Sequence, residues 1–327
     1  MNASKENVVA YDPWLITINQ LKAFEKSANK SKSKLKPVEN LIDRIWADQP
    51  SEPMGTVSLH DIKYAGKSAE DKISEIQAII EEKACNYTLL TDPASLAWLF
   101  NIRGNDLIHN PLALGYAIVP ACGKPLLFMD ERKLDLTVKA YLNDVSTLFA
   151  PQEFEAELRK LAHGKTALCD PDLVSVALAQ IIENADGTII HGRDPVVLPR
   201  AMKNEAEQKG TRSAHIRDGV AMAKFLCWLD SQAGGTLTEI DTAKKLEAIR
   251  KSNAEAMQSE LKEISFDTIS ASGPHAALPH YRVSEASNRI LGDGEIYLVD
   301  SGAQHDDGTT DITRTISNRK AAKRSGN

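Results

Sequence analysis

Apolar positions change their rhythm twice along the chain of 327 residues. Over the first sixty residues they are sparse. Leu15, Ile18, Leu21 and Phe24 recur at helical spacing after Pro13-Trp14, then a polar Lys/Ser stretch follows. Leu41, Ile42, Ile45 and Trp46 form a second short run before Pro50 and Pro53 break the chain. That is too little apolar surface to close a core alone, so this stretch is expected to pack on something else or to be the remnant of a larger domain. From about Tyr64, helix and strand signals alternate. Ser68 with Asp71 resembles a capping box ahead of Ile73, Ile76, Ile79, Ile80 and Ala84. Residues 86–90 read as a strand, and Asp92-Pro93 as an N-cap with proline at the first helical position. Strands over 114–119 and 125–129, a helix over 151–161, a strand over 166–169, a helix over 171–182 and a strand over 188–191 complete an α/β pattern.

A second domain begins near Pro199. Residues 201–230 have high helix propensity with an interruption at Gly210-Thr211, and Ile216, Val220, Ala223, Phe225, Leu226 and Trp228 supply its buried side. Gly234-Gly235 ends it, and Thr238 with Asp241 caps another helix through Leu246, Ile249, Met257 and Leu261. Strand-like sequence follows over 266–270 and 295–299. No internal repeat is visible.

Composition narrows the function classes. A hydrophobic fraction of 42% and a charged fraction of 26% are ordinary for a soluble globular protein. The net charge of −6 offers no basic field to nucleic acid. Lys30, Lys32, Lys34 and Lys36 read as a solvated loop, and Arg319, Lys320, Lys323 and Arg324 as a frayed tail. Cys85, Cys122, Cys169 and Cys227 form no CxxC pair and lie among apolar neighbours, which predicts buried free thiols in a reducing cytosol. No apolar h-region opens the chain and no run reaches membrane-spanning length, so the expectation is a cytoplasmic protein without a membrane partner.

The chemistry-bearing stretch is YLVDSGAQHDDGTTDITRT, from Tyr297 to Thr315. An apolar strand ends in Asp300, a β-branched strand carries Asp311, and His305-Asp306-Asp307-Gly308 reads as a four-residue turn. In that register Asp300 faces Thr313 and lies diagonal to Asp311, so the carboxylates share one face roughly 7 Å apart, a spacing that suits a metal or metal pair. A two-residue Asp307-Gly308 turn would instead place them roughly 13 Å apart along the strand. Alternatively, Asp300 caps a turn and Asp311 lies on a solvated face. Two aspartates are too few for a dinuclear site, which needs about three more protein ligands.

The segment VDSGAQHDDGTTDITRT is similar to the metal-binding hairpin of the cytosolic type of aminopeptidase P, the Xaa-Pro aminopeptidases of the creatinase, prolidase and methionine aminopeptidase group. LAWLFNIRGNDLIHNPLALGYAIV, PRAMKNEAEQKGTRSAHIRDGVAMAKFLCWL and FDTISASGPHAALPHY resemble further segments of that family, in order. NIRGND and the hairpin suit aminopeptidase P better than a creatinase or prolidase. The resemblance implies an α/β and α+β protein: residues 1–62 closing the family's first domain, a creatinase-like α/β domain over 63–198, an incomplete pita-bread catalytic domain over 199–316, and an unrelated tail over 317–327. It implies that Asp300 and Asp311 are metal ligands, Asp311 bridging two divalent ions, and that His280 contacts the substrate and handles protons. His305 replaces a residue usually tyrosine and is expected to be a tolerated loop difference.

The implied cofactor is two divalent cations, manganese favoured by oxygen ligands, with cobalt or zinc as alternatives. The implied partners are peptides with proline second and, as in the family, a second copy in a homodimer. The family's remaining ligands, one histidine and two glutamates, have no counterpart after Asp311. The resemblance therefore implies an internal piece of such an enzyme, inactive alone, with a well-formed middle domain and a poorly stable catalytic half. The alternative is a pita-bread relative that holds peptides without cutting them.

Overall fold

The computed structural model describes residues 7–232 and 235–317. It divides into two compact units. One comprises the chain up to Leu107 with Leu112–Lys203; the other comprises Ile108–Pro111 and the chain from Asn204.

The strands of the first unit are β1 (Val8–Tyr11), β2 (Lys34–Pro37), β3 (Val57–Leu59), β4 (Tyr87–Leu90), β5 (Ile102–Gly104), β6 (Tyr116–Pro120), β7 (Leu126–Phe128), β8 (Thr147–Phe149), β9 (Thr166–Cys169) and β10 (Thr188–His191). Six of them form a mixed sheet in the order β10-β9-β4-β6-β7-β8. Pairs β10/β9, β9/β4 and β7/β8 are parallel, and β4/β6 and β6/β7 antiparallel. All four residues of β4 are buried, as expected of a strand covered on both faces. Leu90, Ala117 and Val119 join one apolar cluster, with Ile76, Ile80 and Leu96; Tyr87, Leu89 and Ile118 join the other, with Phe154 and Leu178. The period of two along each strand thus feeds two cores.

Several helices begin where the local chemistry calls for it. Asp92 accepts from Ala94 N at 2.9 Å, with Pro93 at the first helical position. The helix expected over 171–182 instead spans Val176–Asn184. Asp170 is the reason: its backbone oxygen closes a turn through Leu173 and Val174, its Oδ1 accepts from Asp172 N, and its Oδ2 accepts from Asp194 N. Ser175 then caps the helix, accepting from Leu178 N. Local side-chain acceptors competed successfully with helical bonding over this first turn.

The amphipathic run near Leu15 becomes the helix Ile18–Ser31, of which only Ala28 is buried. Lys34 and Lys36, expected in a loop, lie in β2, which pairs in parallel with β1. Cys85 and Cys169 are buried free thiols, but Cys122 and Cys227 are exposed, which corrects the uniform burial expected of them. The basic cluster at 319–324 lies outside the described residues, as does the tail beyond Ser317. No helix among the described residues is long and apolar enough to cross a membrane.

The strands of the second unit are β11 (Glu263–Ile264), β12 (Ile269–Ser272), β13 (Ile296–Ser301), β14 (Ala303–His305), β15 (Gly308–Thr309) and β16 (Ile312–Ser317). They form two three-stranded sheets, β11-β14-β15 and β12-β13-β16. The helices Glu205–Asp230 and Glu239–Ala256 accompany them, each opened by a capping box, from Asn204 with Glu207 and from Thr238 with Asp241. Met222, Phe225 and Leu229 pack with Leu246, Tyr297 and Val299 in one core.

In the first unit His60 follows β3. Burial, then the nearby charges of Arg103 and Lys72, push its pKa down to about 3. In the unfolded chain this ring takes up a proton near pH 6.5. The unfolded state therefore binds more protons between those values. The contribution of His60 to stability is whole above about pH 6.5 and is lost as pH falls towards 3. His60→Gln should make the free energy of urea unfolding fall less steeply from about pH 7 to about pH 4; equal slopes in parent and variant would rule this out.

Candidate metal centre

Strand β13 pairs antiparallel with β16, and Asp300 lies opposite Thr313. The same offset continues into β14 and β15, where His305 pairs with Gly308. The register is the one that brings the aspartates to a diagonal. The turn is tighter than the four residues expected, because His305 and Gly308 pair with each other and leave Asp306-Asp307 as its tip. On the other side of β13, Ile269 of β12 lies opposite Asp300; β12 starts at Ile269, three residues later than the strand expected from Phe266.

Burial along the ribbon identifies its faces. Tyr297 and Val299 are in the core while Leu298 and Asp300 are half-buried on the opposite face. Ile312 and Ile316 pack against the same core while Asp311, Thr313 and Thr315 are exposed. Asp300 and Asp311 therefore share the face turned away from the core. Thr313 Oγ1 donates to Asp300 Oδ1 at 2.7 Å and so orients that carboxylate.

Asp311 sits where the ribbon passes from one sheet to the other. A Cβ on Gly302, between β13 and β14, would lie 1.9 Å from Thr310 O, so only glycine fits this crossing. Thr310 is buried, and its Oγ1 donates to Asp218 Oδ2 at 2.9 Å. Its carbonyl accepts from Ser265 Oγ at 2.9 Å. Asp218 is itself gripped by Arg250, at 2.6 Å from Nε and 3.2 Å from Nη2. At the ribbon tip, Arg217 donates to Asp307 at 2.5 Å.

These contacts correct the phase assigned to the long helix at Ile216, Val220 and Ala223, while Phe225, Leu226 and Trp228 do face the core as expected. Ile216 is 64% exposed and Val220 38% exposed, and Ala223 is exposed too. The buried stripe is instead Ala214, Arg217, Asp218, Ala221, Met222, Phe225 and Leu229. Two charged residues occupy core positions because each meets an opposite charge there. The helix is also unbroken from Glu205 to Asp230. Gly210 does not interrupt it: a Cβ there would lie 2.4 Å from Asp307 O, so the glycine admits the ribbon tip.

His305 is no loop residue. It is buried in β14 and donates through Nδ1 to Glu260 O at 2.8 Å, and burial holds its pKa below the usual histidine range. His280 is exposed, in the loop after the turn Gly273–Ala277, with a left-handed backbone, φ 55°. Among the described residues no three His, Cys, Asp or Glu side chains come together as a metal-holding group, so His280 does not join the aspartates in one. The two carboxylates fit part of a divalent cation's oxygen shell: both are hard donors on one face, and one is pre-oriented by Thr313. Of the residues that support them, Asp218 and Arg250 read in the sequence as outward-facing charges of their helices, and Thr310 and Thr313 carried no signal beyond their β-branched neighbours.

The comparisons with known proteins agree with this architecture. Residues 48–207 match the creatinase/prolidase N-terminal domain, and residues 209–325 match metallopeptidase family M24. The chain thus has a creatinase-type N-terminal domain ahead of a pita-bread domain of the M24 metallopeptidase type. It is similar to proteins described as probable Xaa-Pro aminopeptidase P. It is 36% identical over 326 residues to that of Ajellomyces capsulatus strain H143, covering 94% of this chain and 50% of the relative. It is also 36% identical to that of Leptosphaeria maculans over 322 residues, covering 94% and 52%. The chain thus spans about half the length of the curated relatives it matches. Among solved structures, the X-prolyl aminopeptidase of Caenorhabditis elegans, described as a cytosolic enzyme with a di-nuclear active site, superposes with a TM-score of 0.87 at 29% identity, over 98% of this chain and 53% of that one. The Xaa-Pro dipeptidase of Bacillus anthracis shares the fold, with a TM-score of 0.58 at 22% identity over 76% and 65%.

Two glycines of the same helix test the fit of the ribbon. Gly219 has open space where a methyl group would stand, with nothing within 4 Å of that position. Gly219→Ala should raise stability by roughly 0.5–1 kcal/mol through helix propensity. Gly210→Ala should instead lower it by roughly 1–3 kcal/mol, because the methyl meets a backbone carbonyl. Urea unfolding of both variants checks the opposite signs.

Proposed function

We propose that this chain carries part of the catalytic centre of a metal-dependent Xaa-Pro aminopeptidase, an enzyme that releases the N-terminal residue of a peptide whose second residue is proline. The observation that supports this most directly is the ribbon register, which sets Asp300 diagonal to Asp311 on one face. Asp300 and Asp311 would hold the cations. Oxygen donors favour manganese over softer-ligand metals. Such cations, when bound, supply Lewis-acid activation of a water for attack on the carbonyl before proline. Thr313 keeps Asp300 turned towards the shared face, and the inward turn of Thr310 keeps Asp311 turned out. His280, exposed on its loop, would meet the peptide and exchange protons with it. The substrate class is peptides with proline second, and the compartment is the cytoplasm, in keeping with the description of the Caenorhabditis elegans relative as cytosolic.

Two carboxylates do not complete a dinuclear shell, and no third donor joins them among the described residues. The same observation favours a second reading, a protein that holds such peptides without cutting them. Calorimetric titration of manganese separates the two. The aminopeptidase reading expects weak saturable binding that is lost in Asp300→Asn and in Asp311→Asn, with no release of arginine from an Arg-Pro-Pro peptide by these 327 residues alone. Binding unchanged in both variants would remove the aspartates from the site; clear turnover would show that donors beyond these two are already present.

A further inference from the structure

The helix Glu239–Ala256 begins with a carboxylate that is fully buried. Glu239 Oε1 accepts from Ser272 N at 2.7 Å and from His275 Nδ1 at 2.9 Å. Its Oε2 accepts from Tyr281 Oη at 3.0 Å and from Arg289 N at 3.1 Å, and stands 3.1 Å from His275 Nδ1. These donors come from the end of β12, from both ends of the loop that follows it, and from the approach to β13. The rings of His275 and Tyr281 also stack, with centroids 4.4 Å apart. His280 is the residue before Tyr281, held at φ 55°, a conformation that non-glycine residues adopt only where their surroundings impose it.

We propose that Glu239 is a positioning residue: it clamps the 272–281 loop at both ends, fixing where His280 stands and which ring nitrogen His275 presents. This rests on the reading of His280 as a substrate-contacting group. A carboxylate oxygen only accepts, so the hydrogen of a neutral His275 ring lies on Nδ1 and its Nε2 is left as an acceptor. Free histidine side chains favour the other tautomer, so the carboxylate selects the rarer one. Tyr281 bonded to the same carboxylate leaves His280 little latitude, because one peptide unit separates it from a fixed side chain. Glu239 touches no reacting atom in this scheme. It acts through the loop, as buried carboxylates commonly act on metal-site and catalytic imidazoles.

The test is a ring-nitrogen spectrum of the full 327-residue chain labelled with 15N-histidine. In the parent, His275 should show the Nδ1–H tautomer, and His280 a single set of signals. In Glu239→Gln the amide hydrogens must oppose one of the loop's own donors. His275 should then lose the Nδ1–H tautomer, the His280 signals should move or multiply, and amide exchange over 273–281 should rise about tenfold, while exchange in the core of helix Glu205–Asp230 stays as it was. A carboxylate with a merely structural role would lower the melting temperature without changing the tautomer. Tyr281→Phe keeps the carboxylate and removes one donor: the His275 tautomer should persist while the His280 signals shift. An Nε2–H His275 in the parent, or unchanged His275 and His280 signals in both variants, overturns the proposal. Manganese titration of the same samples reports separately on the aspartate centre, so failure of that reading leaves the tautomer result able to decide this one.

Discussion

The hydroxyl of Thr310, donated into the carboxylate of Asp218, is the contact on which the facing of Asp311 depends. Side chains alternate along a strand, so turning one residue inward turns the next outward. Thr310 is the last residue before Asp311, and its burial commits Asp311 to the opposite face. The contact holds because Asp218 cannot do without it. A buried carboxylate needs its charge balanced and its lone pairs occupied, and Arg250 and Thr310 together do both. Removing one member of such a buried pair typically costs about 3–5 kcal/mol, several times what a solvent-exposed pair contributes. The Thr310 hydroxyl meets that pair at the position where the ribbon crosses between sheets and where a slip by one residue would exchange its two faces.

The glycines follow from the same constraint. Gly302 lies across the ribbon from Asp311, and the carbonyl of Thr310 occupies the space a Cβ would need. Gly210 does the same for the ribbon tip from within a helix, where glycine is otherwise unfavourable by about 1 kcal/mol relative to alanine. A residue that weakens its own helix is retained where it lets another element approach. Arg217, about two turns further along, then closes on Asp307 and fixes the tip laterally.

The sequence made the register of the aspartates legible and left much of their support hidden, for reasons that can be traced to particular residues. The diagonal of Asp300 and Asp311 is readable because β-ribbon register follows from loop position, and the strands flanking the turn are rich in β-branched residues. The strands at 166–169 and 188–191 are equally plain, being short apolar runs bounded by polar or glycine positions. The helix phase is not, because hydrophobicity alone assigns Ile216 and Val220 to the inside and Arg217 and Asp218 to the outside. Only the partners, Asp307 and Arg250, distant in sequence, reverse that order. The β1–β2 pair is hidden because Lys34 and Lys36 read as solvent-facing loop, whereas charged side chains on a short exposed strand also discourage pairing with further chains.

The two groups assigned to chemistry, the aspartate ribbon and the His280 loop, are held by the same physical device. Each is tied to a buried carboxylate on one of the two long helices, Asp218 for the ribbon and Glu239 for the loop. Apolar packing is indifferent to small rotations, since dispersion contacts are many, weak and non-directional. A buried carboxylate is not indifferent, because each oxygen must be met by a donor within hydrogen-bond distance and any donor that moves away leaves an uncompensated group. Placing such a group behind a loop therefore converts a soft packing preference into a small set of permitted positions. Glu239 meets this condition with two backbone amides, one imidazole and one phenol, so it constrains chain path and side-chain orientation together. Exposed residues such as His280 and Asp311 gain no precision from their own burial; their placement is inherited from neighbours, Tyr281 and Thr310, that point the other way.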